Sequence, residues 1–169
     1  MFLVLQVITM IILEVQKMYK QINPILDFSV RQLCFRAYTN HPKGCPNYNH
    51  KVGCPPISRT IDEKINLSKP VFVIWSVFNF AAHCKKMKEK HSNWSKRQIE
   101  CCLYWQPTAR KQLKEYVHKF LLEHKKFIII NCPEGDGVNV TSTMKSIGIN
   151  LEWPPVNITY QIVLAGYSL

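Results

Sequence analysis

Three of the seven cysteines are followed directly by proline, at Cys45-Pro46, Cys54-Pro55 and Cys132-Pro133. Ten prolines scattered at random over the 169 positions give roughly 0.4 such pairs. Two of the pairs stand in the stretch Gln21 to Ile61, which is dense in proline, glycine, asparagine and cysteine. Pro42, Pro46, Pro55 and Pro56 forbid a continuous helix there, while Gly44 and Gly53 permit tight turns. No alternation marks a strand. An irregular segment of that length inside a compact domain needs something to order it, and a metal held by cysteine sulfur is the expected agent. Proline suits such a site because it stiffens the loop and removes an amide proton; the bacterial ferredoxin run also ends in Cys-Pro.

The expected ligands are Cys34, Cys45, Cys54 and Cys132. Ten residues separate the first pair and eight the second, which is neither zinc-ribbon nor ferredoxin spacing. Cys132 shares the proline signature and follows the apolar run Phe127 to Asn131, at a strand end where loops of open sheets hold ligands. His41 or His50 is the alternative fourth ligand, in a three-cysteine, one-histidine zinc site. Three thiolates with no fourth protein ligand would leave one iron of a four-iron cluster open to a small molecule. An iron-sulfur cluster is the first expectation for the cofactor and zinc the alternative. Arg31, Arg36, Tyr38 and Lys43 are expected to surround the sulfurs with positive charge and hydrogen-bond donors.

Elsewhere the chain reads as regular structure. Ile11 to Lys17 suggests a first strand, with residues 1–10 as an upstream extension. Val71 to Phe78 is an apolar run of β-branched and aromatic residues broken only by Ser76, as in a buried strand. A helix is expected over Asn79 to Lys90, and another begins at the capping box of Ser95 and Gln98. Pro107 should end or kink that helix, after which Leu113, Tyr116, Val117, Phe120 and Leu121 keep helical spacing. Phe127 to Asn131 is a second buried strand. A helix over Val138 to Ser146 is expected to be capped by Asp136 and closed by Gly148. Ile158, Tyr160, Ile162 and Leu164 alternate with Thr159 and Gln161 in a half-buried last strand. The expected fold is a single domain over residues 1–169 of the mixed α+β class: a small mixed sheet flanked by helices, carrying the long cysteine- and proline-rich loop.

The formal net charge of +11 allows contact with nucleic acid, but the cations fall on the solvent faces of the expected helices, so that partner is not favoured. The apolar start, broken by Gln6, is too short for a membrane span and lacks the pattern of a signal peptide. A reducing cytoplasm, in which thiols stay free for metal, is the expected compartment. No phosphate-binding loop, dinucleotide fingerprint or nucleophile elbow is present. His83, His91, His118 and His124 fall in basic helical segments and are expected at the surface, leaving no nucleophile, base and orienting group in reach of one another. Chemistry, if any, belongs to the metal.

The stretch Cys34-x-Arg-x-Tyr-x-x-His-Pro-Lys-Gly-Cys-Pro-Asn-Tyr, ending at Cys54-Pro-Pro, resembles the cysteine-rich region of the uncharacterised "predicted metal-binding protein" family of prokaryotes and phages. Leu103 to Lys111 is similar to that family's central helix. Gly137 to Lys145, with Leu151-Glu-Trp-Pro-Pro after it, is similar to its closing segment. The resemblance implies metal binding at Cys34, Cys45 and Cys54, with Cys132 the lone cysteine where longer relatives carry a further cluster.

Overall fold

The computed structural model describes residues 18–37 and 42–169. The expected strand over Ile11 to Lys17, the extension before it, Tyr38 and His41 lie outside the described residues.

Four strands form one sheet in the order β1 (Tyr19–Ile22), β2 (Val71–Asn79), β4 (Ile158–Tyr167) and β3 (Phe127–Ile130). All three pairings are antiparallel. The α+β class is as expected from the sequence. β2 and β4 run together over eight paired positions, from Phe72 opposite Ala165 to Asn79 opposite Ile158, and make the centre of the sheet.

Both faces of that centre are covered, which explains why β2 reads as a continuous apolar run rather than a clean alternation. On one face Ile74, Val163, Ala165 and Phe127 meet Leu113 and Phe120 of the long helix α3 (Cys102–Glu123). On the other, Val71, Val73, Leu164 and Ile130 meet Val140 and Met144 of α4 (Val140–Ser146), together with Ile61, Ile65 and Val138 from irregular segments. The cysteine-bearing region therefore supplies core as well as surface. Ile61 and Ile65 are fully buried, and the bulk of Ile65 sits where a side chain at Gly166 would have to go.

Helix starts follow local chemistry. Asn79 caps α1 (Phe80–Lys90) by accepting from the Ala82 amide, and Ser95 and Gln98 form the expected reciprocal box on α2 (Lys96–Ile99). The chain then breaks at Glu100 and Cys101 before α3, and Leu103 is exposed while Ile99 is buried. Pro107 does not end α3. It stands in the second turn, where the missing amide removes a single ladder bond, and packing of the later turns against the sheet carries the helix on to Glu123. Asn139, not Asp136, caps α4, accepting from the Ser142 amide at 2.9 Å. Gly148 follows that helix with a φ of 87°, as a closing glycine should. Among the described residues, no helix is long and apolar enough to cross a membrane.

The surface expectation for the histidines holds only for His118, which is exposed. His124 lies among Phe72, Phe120 and Phe127, His91 stacks on Trp94 with ring centres 3.9 Å apart, and His83 lies against Phe78 and Phe80. A basic neighbourhood in sequence does not decide which way a flat, partly apolar ring turns.

Phe120 is fully buried at the meeting of Tyr19, Phe72 and Phe127. Phe120→Ala should cost about 3–5 kcal/mol of stability, read as a lower urea midpoint with a near-normal slope.

Candidate metal centre

Cys34, Cys45, Cys54 and Cys132 arrive from separate parts of the chain. Cys34 ends a 3-10 helix (Phe28–Cys34) whose start is capped by Asp27. The chain returns to it after the undescribed residues: the Cys45 amide donates to the Cys34 carbonyl at 2.7 Å. Gly44 makes that approach feasible. Its φ is +76°, and a Cβ there would lie 2.6 Å from the Phe35 carbonyl oxygen, so both backbone conformation and space require glycine.

Between Cys45 and Ser58 the chain folds on itself in successive turns. Tyr48 donates to Cys45, Lys51 to Asn47, Cys54 to Lys51, Asn49 to Pro55 and Ser58 to Cys54. The segment is thus ordered by its own backbone, with Asn49 in the left-handed region at φ 56°. Backbone bonds of the segment's own contribute to the order for which a metal was the expected agent. The prolines forbid regular elements yet leave enough amides to tie turns.

This limb is docked onto the turn after β3. Within the turn the Asp136 amide donates to Cys132 O, and the Val138 amide to Pro133 O. Across the two segments the Ser58 hydroxyl donates to Gly135 O at 3.3 Å and the Ile61 amide to Asp136 O at 2.9 Å. Lys64 forms an ion pair with Asp136, whose side chain is almost wholly buried. A Cβ at Gly135 would stand 2.8 Å from the Cys132 sulfur and 3.2 Å from the Pro55 ring. Glycine there lets the Cys-Pro corner of one segment fit against the Cys-Pro corner of the other. Arg31, expected among the donors around sulfur, instead gives its guanidinium to the Ser58 carbonyl at 2.6 Å and braces the 3-10 helix against the limb.

Two of the four thiols, Cys34 and Cys132, are perturbed first by burial and then by nearby acidic groups and thiols. Burial raises the Cys34 thiol from its ordinary 9.0 to about 11, with Cys132, Cys45, Glu134 and Cys54 adding to the rise. Burial also pushes the Cys132 thiol up. The Gly135 amide, hydrogen-bonded to the sulfur, acts against this, while Cys54, Asp136 and Glu134 add to it. An amide aimed at sulfur is the contact that stabilises a thiolate and tunes a metal bound to it. All seven cysteines are free thiols. As placed, no three Cys, His, Asp or Glu side chains among the described residues converge closely enough to hold a metal ion.

His50 is exposed, as are Arg36 and Lys43. Glu134 was the participant that sequence reasoning missed. Its carboxyl is pushed up by burial and contributes to the potential at both Cys34 and Cys132; its place directly after Cys132-Pro133 was the available signal. Cys84 and Cys102 pack against the cluster of Phe80, Trp105 and Ala109, the ordinary role of a small apolar side chain.

Two outcomes test this geometry. Removing Lys64 as Lys64→Met leaves the buried Asp136 charge without its partner and should cost about 3 kcal/mol in urea unfolding. The raised Cys34 thiol has a definite pH consequence in metal-stripped, reduced protein. The folded state keeps a proton that the unfolded chain releases near pH 9, so this contribution is intact below pH 9 and declines as pH rises toward about 11. Cys34→Ser should lack that part of the alkaline loss, seen by comparing urea midpoints of the two proteins across this range. No protein-family model, curated protein or solved structure matches this chain.

Proposed function

We propose that the protein binds a metal through Cys34, Cys45, Cys54 and Cys132, with an iron-sulfur cluster as the first reading. The observation that carries it is the grouping of four free thiols from distant parts of the chain in one electrostatic neighbourhood. Burial and the neighbouring groups hold the Cys34 and Cys132 thiols up; a cation would reverse that balance, because each sulfur would then meet positive charge. The donor set is chemically suited to the role, since four cysteine sulfurs serve iron-sulfur clusters and structural zinc alike.

Loading requires the sulfurs to draw together. Cys132 is held by its turn and by the Gly135 amide. Cys34 ends the 3-10 helix and is joined to Cys45 by one backbone bond, and Cys54 lies among turns rather than in a regular element. The fixed Cys132 corner would act as the template, with the other three closing toward it. A bound cluster would supply electron transfer or an open iron for a small molecule. The chain's part is to hold the sulfurs, donate the Gly135 amide to one of them, and partly exclude water through the packing of Pro55 against Gly135.

The second reading is a zinc-stapled basic module that contacts nucleic acid or a protein. Lys85, Lys86, Lys88 and Lys90 on α1, with Lys96 and Arg97 on α2, are exposed on neighbouring helices and favour it. Such a module would bind nucleic acid with an affinity falling steeply as salt rises.

Protein purified anaerobically should contain stoichiometric iron and sulfide and absorb near ~400 nm, with the colour bleached by dithionite. Cys45→Ser and Cys132→Ser should each lose the metal. A colourless preparation holding one zinc per chain selects the second reading, and metal-free protein with reduced, intact thiols defeats both.

A further inference from the structure

A second feature lies on the far side of Cys132. β4 pairs with β3 only from Leu164 to Tyr167. Below that point the chain leaves the sheet at Asn131, so β4 runs past its neighbour, and from Ile158 to Val163 no strand among the described residues pairs with that edge. A cleft of about 340 Å³ occupies the gap. Its apolar wall is Val140, Leu151 and Ile162, and the aromatic rings of Trp153 and Tyr160 stand at its border.

The charges in this cleft are unusual in being unspent. Arg110 is exposed and gives one bond to Gln106 at 2.9 Å, leaving most of its five donors available. The Glu134 carboxyl, half-buried, has neither hydrogen-bond nor ion-pair partner among the described residues. Opposite charges thus line one cleft without pairing with each other, set too far apart for direct contact. Glu152, the remaining acid, is already engaged: it accepts from the Val156 amide at 2.8 Å and the Asn157 amide at 2.7 Å, and so shapes the loop that carries Trp153. A cleft with an apolar wall and a few convergent polar groups is the usual form of a small-molecule site.

We propose that this cleft binds a small amino-carboxylate, an amino-acid-like zwitterion, with its carboxylate on Arg110, its ammonium on Glu134 and its apolar part against Val140, Leu151 and Ile162. A simple anion would satisfy the arginine and face the two acids; a simple amine would leave the arginine idle. Only a molecule with both groups answers both, and an aliphatic side chain then uses the apolar wall. The proposal does not require a metal at the cysteines, although Cys132 lies in the lining and would bring a bound metal next to the ligand.

The test is a titration of the isotope-labelled full chain with L-leucine, followed by NMR at the Trp153 indole and the Tyr160 amide. Isocaproate and isoamylamine, which each retain one of leucine's two charged groups, serve as half-ligands. Saturable shifts with leucine are expected, with binding at least about tenfold weaker for either half-ligand and for Arg110→Gln or Glu134→Gln, since each loses a charge-assisted contact. Saturable binding of leucine is expected in the native chain both as purified and after metal is stripped, so failure of the metal reading leaves this result untouched. Absence of saturable shifts with leucine would overturn the proposal. So would isocaproate binding as tightly as leucine, or both variants binding leucine like the native protein.

Discussion

The docking of the Cys54-to-Ile65 limb onto the Cys132-to-Val138 turn is the contact on which the rest of the structure depends. Two backbone-directed bonds, from Ser58 and Ile61, join them, and the Lys64 ion pair reaches the buried Asp136. Beneath those polar contacts Ile61, Ile65 and Val138 are wholly buried together against the sheet. Polar bonds of this kind contribute little net energy singly, but leaving them unmade under buried surface is costly. They therefore set the register of the limb while the apolar contacts supply most of the attraction. If the limb were displaced, one face of β2 and β4 would lose the part of its cover that Ile61 and Ile65 supply.

That arrangement makes the core and the cysteine group inseparable. Pro55 is buried because Gly135 leaves room for it, and the same absence of a side chain lets the Cys132 sulfur accept the Gly135 amide. Cys34 reaches the group through a different device, the left-handed Gly44 that lets Cys45 lie along its carbonyl. The thiols are consequently brought near one another by a fold that holds itself together with backbone bonds. Ionising Cys34 would set its charge near Cys132, Cys45, Glu134 and Cys54, which adds to the effect of burial in holding that thiol protonated.

The opposite edge of the same turn follows from strand length. β3 stops at Ile130 because Asn131 and Cys132 must turn toward the limb, and β4 is left longer than its neighbour. A paired edge would have filled that space with backbone. The early departure opens a cleft and brings Glu134 to it, so one residue faces the potential of the thiols on one side and the cleft on the other. Covering the cysteine limb and opening the β4 edge are two results of a single change in chain direction.

Much of the secondary structure was legible in the residues alone. β2 and β3 were visible as β-branched and aromatic runs, the second half of α3 as a periodic apolar stripe, and the start of α2 as a capping box, because each of these signals is local. Tyr19–Ile22 lacked any such signal and becomes a strand because β2 offers it an edge. Asp136 looked like a cap, and Lys64 took it instead from 72 residues away; sequence proximity to α4 carried no information about that competitor. The Cys-Pro pairs marked Cys45, Cys54 and Cys132 as belonging to corners of the chain, since proline constrains its own backbone wherever it occurs. Which corners meet was decided only by tertiary packing, through the missing side chains of Gly44 and Gly135 and the buried partner of Lys64. Those depend on distances between segments that no local rule of backbone or side chain encodes.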